Sequence, residues 1–103
     1  MKLNVLERLV VLSVLPAEGD YITLKILREL RESLSFSEEE VKLMNIKNDG
    51  ATTTWDTKAE PPEGKEVNIG DVAKKIISDA LAKLDREKKL KDIQLGIYEK
   101  FIG

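Results

Sequence analysis

The chain has 103 residues, with 17 Lys plus Arg against 19 Asp plus Glu and a formal net charge of −2. It contains no cysteine and no histidine. Disulfides, iron–sulfur clusters, Cys/His zinc sites and Ser-His or Cys-His nucleophilic catalysis are thereby excluded. The length predicts one domain, 1–103, able to bury a core without covalent staples.

The charges are evenly spread: residues 1–50 hold 7 basic and 9 acidic groups, the remainder 10 and 10. Non-specific nucleic-acid binding rests on Lys and Arg neutralising phosphates, and this balance disfavours it. The lack of cysteine fits a cytoplasmic protein.

The first element is predicted at 5–15. Leu3, Leu6, Val10 and Val14 recur at helical spacing, with Val5, Leu9 and Leu12 on a second face. Only Asn4, Glu7, Arg8 and Ser13 are polar in Leu3–Leu15. A helix apolar nearly all round must be covered on several sides, so this one is expected at the centre, ending before Pro16. The rival reading, a secretory signal, is disfavoured by Glu7, Arg8 and Ser13 and by the lack of a clear small-x-small cleavage site. The run is also too short for a bilayer, which takes about 20 apolar residues, so no membrane association is expected.

A second helix is predicted at 23–34, with Asp20 or Thr23 as cap and Ile26, Leu27, Leu30 and Leu34 on its buried face. Lys25–Glu29 and Arg28–Glu32 are spaced for weak ion pairs on the outer face. Ser37-Glu38-Glu39-Glu40 has the form of a capping box. It opens a short helix at 38–44 that buries Val41 and Met44, with Phe36 as a hydrophobic staple.

Asn48-Asp49-Gly50 followed by Thr52-Thr53-Thr54 reads as a β-hairpin within 45–56. Trp55, the one tryptophan, is expected to anchor it to the helices rather than to bind a ligand. Residues 57–64, TKAEPPEG, read as an exposed loop, and Lys65–Ile69 as a short strand or extended lead-in.

The fourth helix is predicted at 70–88 with Asn68 or Asp71 as cap. Ile69, Val72, Ala73, Ile76, Ile77, Ala80, Leu81 and Leu84 form its apolar face, with Lys74, Lys75, Ser78, Asp79, Lys83 and Asp85 opposite. The last helix spans 92–102, burying Ile93, Ile97 and Phe101; Gly96 suggests a close helix crossing. The fold class expected is α+β, mainly α: about five helices around a buried N-terminal helix, plus one β-hairpin.

Three helices followed by a hairpin, at 5–15, 23–34, 38–44 and 45–56, resemble the element order of a winged helix. In the DNA-binding members of that family the third helix reads the major groove. Here it offers Glu38, Glu39 and Glu40, so the resemblance implies a lost DNA-reading role and a protein-docking one instead. The stretches MKLNVLERLVVLSVLP, LKILRELRESLSFSEEE and IYEKFIG resemble a group of short proteins encoded by tailed phages and bacterial genomes. That resemblance implies a phage or prophage origin and no particular site residue.

No Gly-rich phosphate loop, calcium loop or converging acid pair is visible. No catalytic, cofactor-binding or metal residue is therefore expected. Elimination leaves a non-enzymatic protein–protein interaction or assembly module, docking on a protein partner or on a second copy through the 69–84 helix. The alternative is a nucleic-acid-binding regulator using Lys25, Arg28, Arg31, Arg86, Lys88, Lys89 and Lys91.

Overall fold

The computed structural model describes residues 1–50 and 52–103; position 51 of the expected hairpin lies outside them. Strand β1 (Lys2–Leu3) leads into α1 (Val5–Val14), α2 (Tyr21–Leu34) and α3 (Glu38–Met44). Strands β2 (Lys47–Asn48) and β3 (Thr53–Thr54) follow, then a 3-10 turn at Thr57–Ala59 and β4 (Lys65–Glu66). Helix α4 (Asp71–Arg86), a 3-10 turn at Asp92–Gln94 and α5 (Leu95–Phe101) complete the chain. The architecture is α+β and mainly helical. Among the described residues no helix is long and apolar enough to cross a membrane.

Helix α1 is central, packing against β1, α2, α4 and α5. Asn4 and Glu7 close a reciprocal capping box at its start: Asn4 Oδ1 accepts from the Glu7 amide at 2.8 Å and Glu7 Oε1 from the Asn4 amide at 2.9 Å. Leu15 leaves helical geometry before Pro16, as the sequence requires. Val10, Val11 and Leu15 meet Leu27, Leu30 and Leu34 of α2, Ala73, Ile77 and Leu81 of α4, and Ile97 and Phe101 of α5 in one core.

The most buried face of α1 is not the one the apolar spacing selects. Leu6 is exposed and Val14 half-buried, while Arg8, read from sequence as an interruption, is 1% exposed. Its guanidinium uses all three nitrogens. Nε donates to the Leu34 carbonyl at 3.1 Å, Nη2 to the Ser35 carbonyl, and Nη1 and Nη2 to the Glu40 carboxylate at 2.5 and 3.3 Å. Phe36 lies 4.1 Å from the guanidinium carbon, measured to the ring centroid, within the range of cation–π attraction. The expected staple residue thus covers an arginine.

Glu40 completes the capping box of α3. Its Oε1 accepts from the Ser37 amide at 3.0 Å, while Ser37 Oγ accepts from the Glu40 amide at 3.2 Å. Lys65 Nζ adds a contact at 3.2 Å. Partial burial pushes the Glu40 carboxyl up, but Arg8, the Ser37 amide and Lys65 outweigh it and hold the group at about 2, below its ordinary 4.5.

Several local expectations are corrected. Asp20, not Thr23, caps α2, accepting from the Thr23 amide at 2.8 Å, so the helix starts at Tyr21. The pairs Lys25–Glu29 and Arg28–Glu32 form no ion pair among the described residues; exposed pairs in this order gain too little to hold two long side chains together. Val41 is exposed and Met44 alone is buried on α3. Gly70 is the N-cap of α4 and no side chain caps it, neither Asn68 nor Asp71. Ile93 is exposed in the 3-10 turn preceding α5, where the phase differs from that of a continuous helix. Gly96 faces open space, so it marks no close crossing.

The hairpin pairs Lys47 with Thr54 and Asn48 with Thr53, and the Asp56 amide ties it to the Met44 carbonyl at 2.7 Å. Trp55 is half-buried, with its indole nitrogen buried and unpaired among the described residues. The 57–64 loop is more than a solvated connection. Glu60 Oε1 accepts from the Val5 amide at 2.5 Å, satisfying a donor that the start of α1 leaves free. Gly64 sits at φ +78°, where any side chain would run into the backbone of Leu3 and Asn4. This approach lets β4 pair antiparallel with β1, Lys2 opposite Glu66 and Leu3 opposite Lys65.

Arg8→Met removes the donor to the Leu34 and Ser35 carbonyls and leaves Glu40 only the Ser37 amide and Lys65; it is expected to cost about 3 kcal/mol in urea unfolding. Glu40→Gln tests the pH dependence. A carboxyl lowered to about 2 contributes stability that is present above 4.5 and lost as pH falls from there towards 2. The melting-temperature gap between wild type and Glu40→Gln should therefore narrow across that interval and stay constant from pH 5 to pH 7. Gly64→Ala places a Cβ 2.7 Å from the Leu3 carbonyl and should destabilise by more than about 2 kcal/mol. Gly96→Ala meets nothing within 4 Å and should stabilise by about 0.5–1 kcal/mol.

Candidate interaction surfaces

Two open surface depressions flank α4, one at each end. The first lies between α2 and the start of α4, with a volume of about 440 Å³. Ile26, Glu29, Leu30 and Ser33 recur at helical spacing along its α2 wall, facing Asn68 and Gly70 through Ala73. Val72, on the rim, is 59% exposed, and Ile22, one turn before Ile26 on α2, is 62% exposed. The apolar face predicted for residues 69–84 is thus covered at Ala73, Ile77 and Leu81, half-covered at Ile69, Ile76, Ala80 and Leu84, and bare at Val72.

The second depression, about 530 Å³, separates the end of α1 from the end of α4. Ser13, Val14 and Pro16 form one wall, and Ala80, Lys83, Leu84 and Glu87 form the other at i, i+3, i+4, i+7 spacing. Lys89, Lys91 and Gln94 close it. These last residues reach the cleft because α4 ends in a Schellman motif. The Lys89 amide donates to the Leu84 carbonyl at 2.8 Å and the Lys88 amide to the Asp85 carbonyl at 3.1 Å. That turn needs a left-handed residue, usually glycine, and here Lys88 occupies it at φ +57°. The chain then doubles back, and Gln94 Oε1 accepts from the Lys91 amide at 2.9 Å.

The expected basic residues divide on this geometry. Lys89 and Lys91 come together at the cleft. Lys83, assigned from spacing to the opposite, solvent face, joins them beside Leu84. Arg86 and Lys88 are exposed next to the cleft in sequence but do not line it. Arg31 is half-buried and donates through Nη2 to the Pro16 carbonyl at 2.9 Å, which holds the loop after α1 in place. Lys25 and Arg28 are exposed on α2 and line neither depression. Among the described residues, Lys83, Lys89 and Lys91 form no ion pair.

The acidic run Glu38–Glu40 does not converge: Glu38 and Glu39 are exposed while Glu40 turns to Arg8. Among the described residues no group of three or more acidic, His or Cys side chains could hold a metal ion. Sequence reasoning missed Ser13, Val14, Pro16 and Gln94 as cleft residues. The α4 wall was readable from the spacing of Ala80, Lys83, Leu84 and Glu87; the α1 wall depends on which helices pack together.

No family model, curated protein or solved structure matches the chain.

Lys88→Gly relieves the left-handed backbone at the end of α4 and should stabilise by about 1 kcal/mol in thermal or urea unfolding. Amide spectra should show the Schellman turn and the cleft retained.

Proposed function

We propose that this chain is a non-catalytic protein-interaction module that docks through the depression between α2 and α4, with a second copy of itself as the occupant. The observation that carries this reading is Val72, exposed in the lining of a groove of about 440 Å³ where Ile26, Leu30 and Ala73 stand among Glu29, Ser33, Asn68 and Asp71. An exposed apolar residue on one side of a groove, both on one surface, suits a two-fold contact. The Val72 of each copy then enters the groove of the other, since such an interface uses the same patch twice. Ile22 and Ile26 extend the apolar strip along α2, and Glu29 and Asp71 supply a polar rim of the kind that interfaces keep around an apolar centre.

A second reading, a nucleic-acid-binding regulator, is favoured by Lys83, Lys89 and Lys91 at the other cleft. Exposed Glu38 and Glu39 on α3 oppose a groove-reading role for that helix, because they would face phosphates. A gel-shift titration at two salt concentrations separates the readings, since phosphate contacts weaken steeply with salt.

Size-exclusion chromatography with light scattering tests the main proposal. Wild type should approach twice 11.6 kDa as concentration rises. Val72→Asp should remain at 11.6 kDa and match the melting temperature of wild type at dilutions where both are monomeric, because the residue is largely outside the core. A wild-type monomer at about 1 mM, where even a contact of about −4 kcal/mol would be half formed, would remove the self-association.

A further inference from the structure

The cleft between α1 and α4 combines three features. Its walls carry apolar surface from Val14, Pro16, Ala80 and Leu84. Its rim carries Lys83, Lys89 and Lys91 without ion pairs among the described residues, against the single carboxylate of Glu87. Basic side chains at a helix end ordinarily complement the helix dipole. Here, however, the Schellman turn already satisfies the Leu84 and Asp85 carbonyls with backbone amides, so the ammonium groups are not needed as caps there.

The third feature is Gln94. This side chain is more than nine-tenths buried and lines the cleft. Its Oε1 is taken by the Lys91 amide, which fixes the orientation of the carboxamide. The amide nitrogen Nε2 makes no hydrogen bond among the described residues, and it is not sealed from solvent in the way that the Trp55 indole nitrogen is. Two N–H donors that no protein group takes, open to solvent within a cationic cleft with apolar walls, suit an incoming oxygen acceptor carrying negative charge.

We propose that the α1/α4 cleft is a docking site for an acidic segment of a protein partner, a short stretch in which carboxylates alternate with bulky apolar side chains. An apolar side chain of the segment packs between Val14 and Leu84. A neighbouring carboxylate accepts from Gln94 Nε2, and flanking carboxylates meet Lys83, Lys89 and Lys91. Apolar contact supplies the affinity, and the lysines select the sign of the partner's charge and speed its approach. An oligonucleotide offers the same sign of charge, but the apolar walls favour the peptide. This site lies at the far end of α4 from Val72, so it neither needs nor excludes self-association through the α2/α4 groove.

The probe is a fluorescein-labelled nine-residue peptide alternating glutamate with leucine. Comparators carry lysine for glutamate or serine for leucine, and a single-stranded DNA oligomer serves as competitor. Binding by anisotropy should be confined to the glutamate–leucine peptide and should weaken as salt rises. Amide shifts should map to Val14, Leu84, Lys89 and the Gln94 side-chain NH₂. Lys83→Glu with Lys89→Glu should weaken binding by about tenfold or more. Gln94→Glu keeps the acceptor for the Lys91 amide while placing negative charge where the donors were; it too should weaken binding without loss of fold, as judged by amide spectra. Val72→Asp should bind like wild type. No binding of the glutamate–leucine peptide, equal binding of the lysine peptide, shifts mapping elsewhere, or displacement by DNA at lower concentration than by unlabelled peptide would each overturn the proposal.

Discussion

The fold turns on one guanidinium. Arg8 projects from the central helix into the corner where α2 ends and α3 begins. The free carbonyls of a helix C-terminus are the negative end of its dipole, and the free amides of an N-terminus the positive end. Arg8 meets the former at Leu34 and Ser35, and Glu40 meets the latter through the Ser37 amide. The two charges then pair with each other at 2.5 Å. A buried arginine is tolerable only when it is paired and its donors are used, and each requirement is met by a different part of the chain. The consequence is geometric: the path from α2 into α3 is tied to α1, and through Lys65 to β4.

That corner leaves the other side of α1 to the carboxy-terminal half. Lys100 Nζ reaches the Lys2 carbonyl at 2.7 Å and Glu7 at 3.0 Å, drawing α5 onto the amino-terminal strand and helix. Helix α4 then packs against α1, α2 and α5. Its middle supplies the core through Ala73, Ile77 and Leu81. The depressions lie at its two ends, one against α2 and the other against the end of α1. The apolar end leaves Val72 without cover, and the basic end turns sharply through Lys88 and lays Lys89 and Lys91 against the end of α1. The two surfaces differ in chemistry because the residues at the two ends of one helix differ.

Local rules were readable where the chemistry is local. Ser37 and Glu40 announced their capping box because both partners lie within one turn; Asn4 and Glu7 carry the same signal at the start of α1. Ile77, Leu81, Leu27 and Leu30 were placed inside by periodicity alone. The same periodicity failed at Arg8, Leu6, Val41 and Ile93. An apolar stripe identifies a face that would gain from burial, but the neighbours decide which part of it is covered. Arg8 broke the pattern because its burial depends on Glu40 and on two carbonyls 26 and 27 residues away.

The amino-acid sequence by itself determined the fold class, the succession of five helices with a hairpin after the third, and the absence of thiol and imidazole chemistry. These follow from backbone propensities, caps and composition, which act over a few residues. Only the tertiary structure decided that Arg8 is a core residue, that the 57–64 loop docks through Glu60 and Gly64, and that Lys83, Lys89, Lys91 and Gln94 share one cleft. Each of those outcomes depends on groups far apart in the chain being brought within hydrogen-bonding or packing distance, and no local spacing encodes that meeting.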